Sequence, residues 1–232
     1  MAATTPITHH LDRAVERYRL LTHPFYRAWQ AGVLTRADLR AYALQYWHQV
    51  DAFPGYLAAV ADRLPEGKSK TIVLDNYSDE VDQDHRGMWL RFAEEVGASE
   101  RDVRSSVPEP ETEGCVAAFS AGAHTASPAF ALGMIYGYES QTPDVAATKV
   151  AGLRDHYGIE GAGVDYFELH ADLDVEHSRD LGRAIEIAAQ GDADVRAASN
   201  GAGAGAVAIW RLLDGVARIR GIELIASAPS RR

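Results

Sequence analysis

The chain has 232 residues, 47% of them hydrophobic, which is enough for a substantial core and argues against a disordered polymer. A formal charge of −10 excludes the basic surface that a nucleic-acid partner needs, and the single cysteine, Cys115, excludes both an internal disulfide framework and a thiolate-rich metal site. No apolar run reaches the ~18 residues of a membrane span, and the start "MAATTPITHH" lacks the basic and apolar parts of a signal peptide, so a soluble cytoplasmic protein without membrane or nucleic-acid partners is expected.

Helical periodicity dominates, with no period-2 alternation. The stretch "LTRADLRAYALQYWHQVDAFPGYLAAVADRL" predicts a long helix with Thr35 as N-cap, Asp38 completing a capping box, and Pro54 kinking or breaking it near Phe53. "SKTIVLDNYSDEVDQDHRGMWLRFAEEVG" predicts a second long helix, stopped by Gly97. "SSVPEPETEGC" reads as a loop, and "ASPAFALGMIYGYES" as an apolar helix whose small residues imply close packing. "QTPDVAATKVAGLRDHYG" begins a helix with Thr142 as cap and Pro143 at the first helical position. A further helix runs from about Asp165 to Gln190. In "AASNGAGAGAVAIWRLLDGVARIRGIELI" the Gly/Ala run reads as a loop leading into a closely packed last helix. No linker separates two cores, so one domain over residues 1–232 is expected, an all-α bundle of about seven helices.

The chemistry concentrates in "DYFELHADLDVEHSRD", residues 165–180. At 100° per residue, Asp174 lies about 40° and His177 about 20° from the direction of His170. Tyr166, Leu169 and Leu173 fall on or beside this stripe, which marks it as inward-facing, while Glu168, Asp172 and Glu176 point elsewhere. Two imidazoles and a carboxylate buried together are costly unless they pair or hold a metal. Dimetal sites in bundles draw Glu and His from several facing helices, and imidazole plus carboxylate without thiolate suits iron or manganese.

Glu139 in "MIYGYESQTP" follows a long apolar run, which makes it the strongest further candidate. The segment "SDEVDQDH" offers Asp79, Glu80, Asp82 and His85, with His85 on the inward stripe of Met88, Trp89 and Phe92. Glu80 and His85 point about 140° apart on an ideal helix, whereas Asp82 is better spaced, so Glu80, Asp79 and Asp82 all remain candidates by periodicity. His9, His10, His48, His124 and His156 lack ligand partners at helical spacing and are assigned nothing.

"YGYESQTPDVAATKVAGLRDHYGI" followed by "YFELHADLDVEH", with "LLTHPFYRAWQAGVL" and "LRAYALQYWHQVDAFPGYL" nearer the start, resembles the haem-oxygenase-like (TenA/PqqC-like) dimetal oxidases. Among these it is similar to the chlamydial protein associating with death domains and its bacterial counterparts, which make 4-aminobenzoate. The resemblance implies two metal ions, Fe/Fe or Fe/Mn, held by Glu80, His85, Glu139, His170, Asp174 and His177. In that family the first Glu usually precedes the His by six or seven residues, and here Glu80 precedes it by five. It also implies O2 and an external reductant as co-substrates, an electron donor as partner, and a homodimer.

The 4-aminobenzoate makers consume one of their own tyrosines and take nitrogen from a lysine. Tyr26 in "HPFYRAW" and Lys149 in "AATKVAG" occupy matching positions, and Tyr42, Tyr138 and Tyr166 match aromatic positions near their metal site. A lysine at this offset also occurs in relatives that act on external small molecules. A dimetal oxidase of an external amino acid or fatty acid is therefore the second reading. A metal-free protein that binds a small molecule or partner is the third, and the intact His-x3-Asp-x2-His argues against it. For Tyr26 and Lys149 taken alone, core packing and a solvated charge are the ordinary roles.

Overall fold

A computed structural model describes residues 7–223, and the helical periodicity is realised across them. Eleven α-helices and no strand occur among the described residues: α1 (Ile7–Val15), α2 (Pro24–Gln30), α3 (Arg36–Arg63), α4 (Lys68–Asp82), α5 (His85–Glu95), α6 (Glu100–Arg104), α7 (Pro110–Thr125), α8 (Pro128–Glu139), α9 (Thr142–Tyr157), α10 (Asp165–Ala188) and α11 (Asp192–Arg220). The number exceeds the expected seven because one long helix is divided and short ones such as α6 are below the length at which a period shows. None of these helices is long and apolar enough to cross a membrane.

The α3 start is as expected: Asp38 N–H donates to Thr35 Oγ1 at 3.3 Å and Thr35 N–H to Asp38 Oδ2 at 2.7 Å. Pro54, however, does not break the helix. Phe53, Pro54, Tyr56 and Leu57 are all buried, and that packing holds the turn whose ladder bond the proline removes. The expected loop "SSVPEPETEGC" already contains the start of α7, with Pro110 in the first turn, where a missing N–H leaves nothing unpaired. Thr142 is not a cap. Its hydroxyl donates to the Tyr138 carbonyl at 3.2 Å, and α8 passes into α9 through a bare turn at Ser140–Gln141.

The largest correction concerns the Gly/Ala run, which is not a loop but the first half of α11. Helices α8 and α11 form the most extensively packed pair in the fold. A Cβ on Gly133 would strike the Ala198 carbonyl, and one on Gly201 the Phe130 carbonyl. Glycine weakens a helix interior by about 1 kcal/mol, and here direct backbone approach offsets that weakness. Around this pair, α10 packs against α9, α4, α8 and α5, so four helices face its inner stripe.

Candidate metal centre

The second long helix is divided where its chemistry lies. Gln83 ends α4, and Asp84 takes a left-handed conformation (φ 55°) from which its Oδ1 accepts the Gly87 N–H at 3.2 Å and caps α5. The break cancels the angular separation of an ideal helix. Glu80 Oε2 comes within 2.9 Å of His85 Nδ1, and both residues are buried, at 6% and 0% exposure. Asp82 stays exposed on the outside. Asp79 is half-buried and turned to a different neighbour, His177.

Glu80, His85 and His170 form one cluster, each offering a ligand atom within 4.8 Å of the others. The His85 and His170 rings lie 4.6 Å apart, and His170 Nε2 is 3.7 Å from Glu80 Oε1. The other nitrogen, Nδ1–H, donates to the Tyr166 carbonyl at 2.7 Å, which leaves the Nε2 lone pair directed at the cluster. Asp174 and His177 sit on the same inner face of α10, Oδ1 to Nδ1 3.4 Å. The outer nitrogen of His177 meets Asp79 Oδ2 at 3.0 Å. Glu139, 1% exposed, accepts both of its hydrogen bonds from Asn76 Nδ2, at 2.9 and 3.1 Å.

The carboxylates and imidazoles of the cluster are strongly coupled. Burial raises the Glu80 carboxyl, but His170 and His85 hold it down at about 2. Burial and then the Asp174 charge push Glu139 up to about 8. Burial opposes protonation of His177, yet Asp174, Glu139 and Asp79 raise it to about 10. Nε2 of the fully buried His85 lacks a hydrogen-bond partner. An orphaned buried nitrogen costs about 1–3 kcal/mol, a cost that a bound cation removes. Three carboxylates and three imidazoles without sulfur fit iron or manganese.

A second compartment adjoins this one. His23 Nδ1 accepts the Phe25 N–H at 3.0 Å and its Nε2 meets Asp214 at 3.0 Å, which fixes the start of α2 and so places Tyr26. Lys149 is 4% exposed rather than solvated. Its Nζ donates to the Tyr42 hydroxyl at 2.7 Å, and that hydroxyl lies 3.4 Å from the hydroxyl of Tyr26. The rings of Tyr26, Tyr42, Tyr46 and Phe167 surround Nζ at 4.9–5.3 Å. Burial lowers the Lys149 amine to about 7 and pushes the Tyr26 and Tyr42 hydroxyls far above their usual range.

An unbroken run of rings joins the compartments. Tyr26 and Tyr42 have centroids 6.5 Å apart, Tyr42 and Trp89 5.7 Å, Trp89 and Tyr166 5.0 Å, and Tyr166 stacks on His170 at 4.1 Å. Tyr138 lies off this run, against Phe53 at 5.1 Å. The unassigned histidines have ordinary surroundings: His9 and His10 are exposed, and His48, His124 and His156 meet Ser106 Oγ and the carbonyls of Ser120 and Gln30.

Sequence reasoning missed Asn76, Tyr46 and Phe167. Asn76 precedes Glu80 by one turn and Tyr46 follows Tyr42 by one turn, so each shares a face with a named candidate. Phe167 carries no such signal, since only the approach of α9 to α10 brings it over Lys149.

The sequence model of the haem-oxygenase-type family described as "Iron-containing redox enzyme" matches residues 40–209. The 4-aminobenzoate synthase of Nitrosomonas europaea is 35% identical over 230 residues, covering 92% of each chain. That of Chlamydia muridarum is 33% identical over 187 residues, covering 79% of each. Among solved structures, a heme oxygenase-like domain from Shewanella denitrificans superposes with a TM-score of 0.82 at 20% identity over 99% of both chains. A TenA homolog from Pseudomonas syringae gives 0.80 at 14% identity, over 94% of this chain and 96% of its own.

Proposed function

Because the chain belongs to the haem-oxygenase-like family of iron-containing redox enzymes, we propose that it is a non-haem dimetal oxidase that makes 4-aminobenzoate from its own Tyr26 and Lys149. Glu80, His85 and His170 hold one metal ion in this reading, and Glu139, Asp174 and His177 complete the site for a second, as Fe/Fe or Fe/Mn. Bound metals would supply the oxidising power by activating O2 with electrons from an external reductant.

The chain's own residues set up the rest. The product has an aromatic ring, one carbon on it and a nitrogen opposite. Tyr26 supplies ring and carbon if its Cα–Cβ bond breaks, and the phenolic oxygen must be exchanged for nitrogen. Lys149 stands at that exchange, with Nζ 5.3 Å from the Tyr26 ring centroid. A lysine amine lowered to about 7 is largely neutral at slightly alkaline pH and carries a free lone pair. Tyr42 orients that amine and is the group placed to pass a proton between Nζ and the Tyr26 hydroxyl. Tyr42, Trp89 and Tyr166 bridge the ring of Tyr26 to His170, and the buried aromatic wall excludes water from the reacting groups.

The observation that carries this reading is Lys149, a buried amine with no carboxylate partner among the described residues, enclosed by the rings of Tyr26 and Tyr42. The test needs no added substrate. Purified protein is reconstituted with ferrous iron, with and without manganese, then given reductant and O2, while released 4-aminobenzoate and intact mass are followed. Release that vanishes in Tyr26→Phe, with mass lost at Tyr26, is expected. Metal oxidation with no release and unchanged mass would overturn self-consumption and assign the oxidant to an external amino acid or fatty acid.

A further inference from the structure

A cavity of about 100 Å³ lies on the outer side of the candidate metal centre, between α4 and α10, lined by Asp75, Asn76, Asp79, Glu176, His177 and Asp180. Asp75 and Glu176 are exposed, whereas Asn76 and His177 are buried at its inner wall, at 3% and 8% exposure. One buried oxygen without a partner points to a cation, and one imidazole connects the mouth to the interior. Asn76 holds Glu139 through Nδ2, while its Oδ1 has no hydrogen-bond partner. His177 spans the wall, with Nδ1 3.4 Å from Asp174 on the inner side and Nε2 against Asp79, whose other oxygen accepts from Gln83 Nε2 at 2.9 Å.

We propose that this acidic mouth is where divalent cations enter the protein, captured first at Asp75, Asp79 and Glu176 and passed by His177 and Asn76 to Glu139 and Asp174. The inference rests on the dimetal reading of the site. Like charges in a narrow concavity focus the field and raise the local cation concentration. A hydrated cation gives up water only where protein oxygens replace it, and the Asp79 carboxylate and the free Asn76 carbonyl oxygen supply such oxygens along the way. Arg183 meets Asp180 at 3.2 Å and Asp79 meets His177, which leaves Asp75 and Glu176 as the mouth's exposed acids without an ion-pair partner among the described residues.

The test is the kinetics of metal uptake by the full-length apo-protein, followed with cobalt(II) absorbance and confirmed by metal analysis. The double variant Asp75→Asn/Glu176→Gln changes exposed side chains outside the expected ligand set. It is expected to take up cobalt about tenfold more slowly at low ionic strength, with a flatter salt dependence and an unchanged final stoichiometry. Asp172→Asn, an exposed acid of α10 outside the mouth, is expected to load at the wild-type rate. A double variant with the wild-type rate and salt dependence overturns the access route alone. A wild-type protein that binds no metal at equilibrium overturns the dimetal reading and this inference with it.

Discussion

Nζ of Lys149 donates to the Tyr42 hydroxyl at 2.7 Å, deep among aromatic rings and without a countercharge among the described residues. A hydrogen bond to an ionisable group in such surroundings is worth roughly 1.5–3 kcal/mol, about 10- to 100-fold in a rate that depends on it. Tyr42→Phe is therefore expected to cut 4-aminobenzoate release by about that factor while leaving metal content unchanged. Product quantification alongside metal analysis checks it, and unchanged release would remove Tyr42 from the reaction.

Lys149 opposes stability. Its folded pKa of about 7 lies below the usual 10.5, so between these values the unfolded chain binds more protons than the folded one. The penalty is therefore full below pH 7 and fades as pH rises from 7 toward 10.5. Lys149→Met removes an unpaired buried amine and is expected to gain roughly 2 kcal/mol at neutral pH, about 4–8 °C in thermal midpoint, while abolishing product. Melting curves from pH 6 to 10 should show wild type and variant converging at the alkaline end. In wild type, product formation should rise with pH through about 7 as the amine deprotonates.

The divided helix separates Glu80 from Asp82. Glu80→Ala removes a carboxylate 2.9 Å from His85 and is expected to lose at least one of two metal ions per chain, whereas Asp82→Ala keeps both. Equal metal content in the two variants would sink the assignment of Glu80. Metal should also raise the thermal midpoint of the wild type alone, because binding to the folded state stabilises it by mass action. Uptake should weaken toward acid pH, since Glu139 and His177 must release protons to bind.

Trp89 stands between Tyr42 and Tyr166, and its indole N–H donates to the Ala43 carbonyl at 3.0 Å. Trp89→Phe keeps a ring in the core but a far less oxidisable one. Release is expected to slow about tenfold or more, equivalent to ~1.4 kcal/mol or more in barrier, with metal content preserved. Single-turnover measurements with O2 separate this from a loss of metal.

Gly133→Ala reverses the usual sign of that substitution. In an open helix alanine would gain about 1 kcal/mol, but here the new methyl strikes the Ala198 backbone, and overpacking is expected to cost about 1–3 kcal/mol. Chemical denaturation against Gly114→Ala, where nothing lies within 4 Å, provides the comparison.

Much of this protein is local and therefore written in its sequence. The helical class, the capping box at Thr35 and the shared face of His170, Asp174 and His177 all follow from spacing along one helix, which the chain sets without help from distant residues. The apolar run before Glu139 marked it from spacing alone, the resemblance in the motifs led to the family and drew Tyr26 and Lys149 into the argument, and the fold buries all three. The remainder depended on what the chain packs against. The Gly/Ala run reads as a loop by propensity and is a helix because α8 lies flush on it. Glu80 and His85 point apart on any regular helix and meet only because Asp84 turns the chain left-handed between α4 and α5. Nothing in the composition of α9 marks Lys149 as buried, and only the convergence of α2, α3 and α10 removes it from water. Periodicity encodes which side of a helix is inside; the environment met there, whether carbonyl, carboxylate or ring, is decided by contacts between distant segments, and tertiary packing alone supplies those.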